Sequence, residues 1–344
     1  MRLVYSGFCG ISAALALLVL SASPAAACSI CRCGDPTFNA LGTQVYASGE
    51  HWNFRVALDW ERFEKEQGSF EPAAAAAPTS AANTANADRA AFGRSLRQIS
   101  RADSADSGRE SQVENRFTTT LSYVFAERVN LVGRIPWTSR RLTAEDGVET
   151  SHDLADPEIY GLVRLWASNF APGLGRRAWV SAIGGVKTNW GKNDLAVDGT
   201  RLDEHLQAGT GSTDTFGGLS AFYLLDSHSS LFGSAQVRRT GSNDFGYRYG
   251  NTTLANIGYE HRLGEKFDTV VEVNYRNAGR DQIDDSGLLD PNTGGNMFYV
   301  TPHLSWDFGK GVVGRMSVQI PVVRNLHGDQ EEKAVANIGL TYLF

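Results

Sequence analysis

The sequence predicts an all-β fold: a transmembrane, antiparallel, up-and-down β-barrel of about twelve strands behind a short cysteine-containing segment. Three observations predict it. Apolar and polar residues alternate along most of the chain after Trp52, the pattern of strands with two unlike faces. Short turns and long loops take turns joining the strand-sized segments, as they do in outer-membrane barrels. The first residues have the layout of an export signal.

Arg2 supplies a positive start, Ile11 to Leu20 an apolar core, and Ser21 to Ala27 an A-x-A cleavage site. Residues 1–27 are therefore expected to be a signal peptide and not a membrane anchor. Their removal takes away Arg2 and no acidic residue, so the exported chain is one unit more negative than the formal -6 of the whole. A mildly acidic chain without a basic run is not expected to bind nucleic acid. After the signal, no apolar run approaches the roughly 18 residues that a spanning helix needs. Mean hydropathy is -0.25, which suits a barrel, because half of its strand residues face a polar lumen. Aromatic residues make up 10% of the chain, enough to furnish the girdles at the two membrane interfaces.

Residues 28–51 are expected to form an N-terminal periplasmic or plug segment. In it, Cys28, Cys31 and Cys33 make a C-x-x-C-x-C run directly behind the cleavage site. Three soft ligands this close can hold Cu(I) or Zn as thiolates. Haem attachment is excluded, because Arg32 and not His follows Cys31. Two further readings stay open. Cys28 can carry a lipid, although Ala25-Ala26-Ala27 lacks the Leu that such a site begins with, or it can pair with Cys31 or Cys33 and leave one thiol over.

Residues 52–344 are expected to be the barrel. In the first strand, Trp52, Phe54, Val56, Leu58 and Trp60 point one way; Asn53, Arg55, Ala57, Asp59 and Glu61 point the other. Two Trp bracketing an apolar band suit a lipid-facing strand with one indole at each interface. The pattern lapses over 62–111, where an Ala-rich run (Glu71 to Ala90) and a Ser/Arg/Asp-rich continuation have no core-forming face. A long mobile extracellular loop is expected there, the alternative being a short helix around Ala87 to Ile99.

From Glu114 the alternation resumes. Phe117 to Phe125 and Val129 to Trp137 flank a tight turn. Ile159 to Leu165 follows the polar loop Thr143 to Ala155, and Ala178 to Lys187 follows a Pro172/Gly173/Gly175 turn. The loop Thr188 to Thr213 is rich in Gly, Asp and Asn. Leu219 to Leu225 and Leu231 to Val237 make the next hairpin. Thr253 to Tyr259 and Val271 to Tyr275 flank the turn Leu263 to Phe267, and Phe298 to Trp306 and Val312 to Ile320 flank Phe308 to Gly311. Last comes Ala334 to Phe344, with Ala336, Ile338, Leu340, Tyr342 and Phe344 on one face and Asn337, Gly339, Thr341 and Leu343 on the other. A strand that ends on an aromatic residue resembles the closing strand of bacterial outer-membrane barrels, which their assembly machinery reads. An even strand number puts both termini in the periplasm and the long loops outside.

Opposite the apolar faces lie Arg55, Asp59, Glu61, Arg116, Arg134, Glu158, Arg164, Arg238, Glu260, Glu272, Arg276, His303 and Arg315. Charges confined to one face belong in a lumen and not against lipid. They are candidate selectivity residues of a pore. The other reading is a salt-bridged lumen that props the barrel open or shut, since side chains and a plug can fill much of a barrel this size. No enzyme activity is expected. Gly209 to Asp214 (GTGSTD) lacks the Lys and helix of a phosphate loop, and His303 has no Ser and acid in register.

As a set, several segments of Leu154 to Phe344 resemble the outer-membrane transporters associated with the MetA pathway of phenol degradation. They are ADPEIYGLVRL (Ala155 to Leu165), AIGGVKTNWG (Ala182 to Gly191), GTGSTDTFGGL (Gly209 to Leu219) and YRYGN (Tyr247 to Asn251). VEVNYRNAGRD (Val271 to Asp281), GGNMFYVTPHLSW (Gly294 to Trp306) and the terminal IGLTYLF complete the set. The resemblance implies a lipid-embedded barrel that passes small solutes, aromatic or hydrophobic ones among them. The cysteine run and the Ala-rich loop depart from the family's pattern. The expected function is passive uptake or efflux of small solutes through an outer-membrane channel. The alternative is a metal-handling (Cu or Zn) or structural outer-membrane protein that works through its cysteine segment.

Overall fold

The computed structural model describes residues 54–68, 109–125, 128–144, 147–171, 175–328 and 330–344. The expected signal peptide, the cysteine segment and residues 69–108 lie outside the described residues. Twelve strands form one closed antiparallel barrel. They are β1 (Phe54–Gly68), β2 (Arg109–Phe125), β3 (Val129–Ala144), β4 (Glu158–Ala167), β5 (Ala178–Lys187) and β6 (Asp214–Leu224). The second half comprises β7 (Ser229–Arg239), β8 (Thr252–Leu263), β9 (Phe267–Ala278), β10 (Gly295–Gly309), β11 (Val312–Leu326) and β12 (Val335–Leu343). Each pairs with its neighbours in sequence, and β1 closes on β12 from Arg55↔Leu343 to Arg62↔Ala336. Two short pieces lengthen the wall at the loop end: Gly147–Leu154 pairs with β3, and Gln330–Glu332 pairs with β1.

The alternation seen in the sequence becomes an outside and an inside. Leu58 and Leu340 face each other across the closing seam, 55% and 48% exposed. An apolar surface that encircles the molecule is a lipid contact, since soluble chains keep such patches small. Aromatic rings rim it. At the turn end Tyr123 meets Phe125 at 4.5 Å, Tyr342 meets Phe344 at 4.3 Å, and Trp306 meets Phe308 at 5.5 Å. Toward the loop end, Trp60, Phe117 and Trp137 stand in register, and Tyr275 lies 4.8 Å from Phe298. Phe267 and Tyr275 bound the band on β9, about 26 Å apart along the strand, close to the thickness a barrel must cover.

The strands outrun their apolar pattern. β1 continues to Gly68 and β2 begins at Arg109, paired Gly68↔Arg109, so 62–68 and 109–111 are strand and not part of the expected loop. Beyond the membrane the outward side chains are polar too. Arg62 and Glu64 form an outward ion pair at 2.8 Å, and the backbone ladder persists where hydrophobic alternation has already ended.

A charge on the outer wall should cost stability according to depth. Ile257, 61% exposed near the middle of β8, should tolerate Arg worst: Ile257→Arg is expected to lower the unfolding free energy in lipid vesicles by ~2–4 kcal/mol. Leu263→Arg, at the turn end of the same strand, should cost ~0–1 kcal/mol. Denaturant titrations of the two variants check this, and equal losses would contradict the placement.

Candidate functional site

The inner wall holds every charge that the sequence assigned to it, and most find partners on other strands. Arg315 on β11 pairs with Asp59 on β1 and donates to Thr341 Oγ1 on β12 at 2.9 Å. Glu158 on β4 takes Arg134 at 3.1 Å and Arg238 on β7 at 2.7 Å. Arg116 pairs with Glu114 at 2.6 Å. His303 Nε2 lies 3.4 Å from Glu272 on the neighbouring strand. Arg276 pairs with Glu332, which also accepts from the Tyr299 hydroxyl at 2.7 Å. Arg164 stands over the Trp179 ring at 5.6 Å, and Arg55 is buried at the turn end of β1. Glu61 and Glu260 are half-buried on the same inner face. Burial brings these charges together in pairs, because an isolated ion out of water costs far more than a paired one.

Several partners were not legible in the sequence. Glu114, Arg140, Asp156, Lys187, Asp214 and Glu332 lie at strand ends or in loops, where both faces are polar and alternation stops naming an inside. Lys187 carried a weak signal: counting by twos from Ile183 through Gly185 puts it inward. It sits 3.0 Å from Asp156 and 3.3 Å from Asp214, and donates to the Ser212 carbonyl at 2.8 Å.

This cluster fastens the loop between β5 and β6 into the mouth of the barrel. Asp156 Oδ1 accepts from the Gly191 amide at 3.0 Å, and its Oδ2 accepts from the Thr210 amide at 2.6 Å. A Cβ at Gly191 would stand 2.6 Å from the Asp156 backbone nitrogen, and one at Gly209 2.8 Å from Asp156 Oδ1. The glycines of the NWG and GTG motifs thus permit this close approach. Across the mouth, the loop's carbonyls accept from β2 and β3: Gln112 and Arg140 donate to His205 O at 3.0 and 3.3 Å. Tyr249 donates to Glu204 O at 2.9 Å from the next loop. Leu206, in a single helical turn (Glu204–Leu206), is 0% exposed. On the same side, burial and the Arg280 charge lower the pKa of His327.

The lumen also has an apolar component that sequence alternation hid. Val132, Tyr160, Leu162, Ile183 and Phe216 pack together on β3 to β6, and Trp179, Phe222, Phe232 and Val270 form a second cluster. Where both faces of a strand are apolar, as in Phe222-Tyr223-Leu224, period-two counting identifies two hydrophobic faces and cannot rank them.

Among the described residues, no group of three or more His, Cys, Asp or Glu is arranged to hold a metal ion. Cys28, Cys31 and Cys33 lie outside them. No protein-family model and no curated protein matches the sequence. In fold, the chain is similar to an outer-membrane channel from Pseudomonas putida F1, with TM-score 0.57 and 8% identity over 87% of this chain and 98% of that one. The CymD monoaromatic hydrocarbon channel gives TM-score 0.40 and 7% identity over 86% and 89% of the two chains. The Ralstonia pickettii toluene transporter TbuX gives 0.42 and 10% over 87% and 91%. The likeness is one of architecture: this is a barrel of the outer-membrane type.

Removing the ammonium at the centre of the fastening cluster should be costly. Lys187→Met leaves Asp156 and Asp214 buried beside an apolar chain and is expected to lower the unfolding free energy by ~3–5 kcal/mol. Adding Asp214→Asn should recover part of the loss, which denaturant titration in vesicles measures.

Proposed function

We propose that this chain spans the bacterial outer membrane and passes small solutes passively through its lumen. The observation that carries the proposal is the division of one closed sheet into an apolar outer wall and a polar, charged inner one. In this reading the long loops face outward and both termini lie in the periplasm, following the usual sorting of barrel connections. The terminal strand, with outward Leu340, Tyr342 and Phe344, is then the segment that the assembly machinery and the lipid meet.

The inner wall shapes what passes. Balanced ion pairs such as Arg315–Asp59 and Arg276–Glu332 leave no large net field of one sign where they stand, so neutral solutes meet little barrier. The Tyr160, Leu162, Ile183 and Phe216 cluster makes part of the inner wall apolar, which suits an aromatic or hydrophobic solute. The loop 188–213, held by Asp156 and Lys187, narrows the outer mouth.

The purified protein is expected to conduct ions in planar bilayers and to support liposome swelling. Asp156→Ala removes the acceptor that holds Gly191 and Thr210 and should raise single-channel conductance by about twofold or more, as a constriction that moves aside does. A folded protein with no conductance and no swelling would refute the channel.

A further inference from the structure

A row of small polar side chains crosses the lumen wall between its charged clusters. Ser181, Ser220, Ser234, Asn256 and Asn274 stand in direct register on β5 to β9. The row begins opposite Arg164 on β4 and ends opposite Tyr299 on β10. Ser181 lies near the turn end of β5, whereas Asn274 lies past the middle of β9. The row therefore climbs the lumen as it passes around it, a consequence of strand tilt in a closed barrel.

Part of its hydrogen-bonding capacity is used within the wall and part is not. Asn256 Oδ1 accepts from the Ser234 amide at 2.8 Å and from Ser234 Oγ at 2.6 Å. A backbone N–H can only donate, so this contact fixes the amide oxygen against the wall and directs Nδ2 away from it. Asn274 Nδ2 donates to Thr301 Oγ1 at 2.8 Å. That leaves three buried atoms with no partner among the described residues: Ser220 Oγ, Asn256 Nδ2 and Asn274 Oδ1. Ser220 is 2% exposed and Asn274 1%. Such atoms occur elsewhere on the wall too, at Thr120, Ser122 and Asn130; those of Ser220, Asn256 and Asn274 belong to one row in register, on β6, β8 and β9.

Immediately toward the turn end runs a second row, Trp179, Phe222 and Phe232, also in register. The Trp179 and Phe222 rings stack at 4.1 Å with 13° between their planes. A hydroxyl-and-amide row beside an aromatic row gives this part of the wall one polar and one apolar band.

We infer that the two rows form a binding track for a neutral ring bearing several hydroxyl groups. Neighbouring strands stand about 4.8 Å apart, close to the separation of hydroxyls on alternate carbons of a six-membered ring. Asn256 presents a donor and Asn274 an acceptor, and a hydroxyl satisfies either. The aromatic row takes the ring's apolar face, and the polar row itself carries no charge that would demand a charged ligand. A monosaccharide and a dihydroxybenzene share this chemistry. The transport role of the track rests on the channel reading, whereas binding to it does not.

Equilibrium dialysis of the refolded full-length protein against labelled glucose and against labelled 1,3-dihydroxybenzene tests the track, with bilayer conductance recorded on the same preparations. Saturable binding of at least one ring is expected, and the ring that binds identifies the source. Ser220→Ala/Asn274→Leu should weaken that binding by about tenfold or more, as loss of two buried hydrogen bonds does, and leave ion conductance within about twofold. Ser220→Ala alone removes a hydroxyl with no partner in the wall, so it keeps the fold and should still bind more weakly. Binding of neither ring, or equal binding by wild type and both variants, would overturn the track. Binding without conductance would uphold the track and overturn the channel.

Discussion

Inside a bilayer a backbone N–H or C=O has no water to turn to, and this constraint organises the whole chain. A sheet meets it only by having no edge. The pairing of β1 with β12, continued by Lys65↔Glu332 beyond the membrane, is therefore the contact on which every other feature depends. Side chains reinforce it from within. Asp59 on β1 reaches Arg315 on β11 over the intervening β12, and Gly339 lies under the pair, where a Cβ would come within 2.4 Å of Asp59 Oδ1. The small residue in the last strand lets the first and the eleventh be tied together across it.

Closure also decides how the interior is built. Each strand must turn its alternate residues toward a narrow shared space, so a charge on one strand meets charges from strands far away in sequence. Glu158 on β4 and Arg238 on β7 meet in this way, as do Arg276 on β9 and Glu332 ahead of β12. Such pairs brace the barrel across its width. Their geometry matters more than their number, because desolvation offsets much of the Coulomb attraction and only well-matched partners repay it. The ordered loop between β5 and β6 extends the same bracing into the mouth, with one aspartate and one lysine serving both wall and loop. The uncharged Ser/Asn row is a continuous stretch of this wall, running over five strands, in which some hydrogen-bonding capacity is left unused.

The barrel itself was legible in the sequence, and for a plain reason. Lipid outside and polar groups inside impose a period of two on every strand, so Leu58, Ile257 and Leu340 announced their side without knowledge of any neighbour. The inward placement of Asp59, Glu158, Arg238 and Arg315 followed by parity alone. Two things escaped. Strand ends such as 62–68 lie beyond the lipid, where both faces are polar and the period vanishes. Inward aromatics such as Trp179 and Phe222 sit on strands whose outer face is apolar as well, so hydrophobicity could not mark them as lining the lumen.

What the sequence determined by itself is thus the period: strand number, strand faces, and the sorting of short turns from long loops, all fixed by local composition against a two-solvent environment. What only the tertiary structure decided is who meets whom. Register and tilt place Ser220 beside Ser234 and Asn256 beside Asn274, bring Lys187 between Asp156 and Asp214, and fold residues 188–213 back into the mouth. Those meetings join residues from 14 to 93 positions apart, and a pattern that repeats every second residue holds no information about distances of that kind.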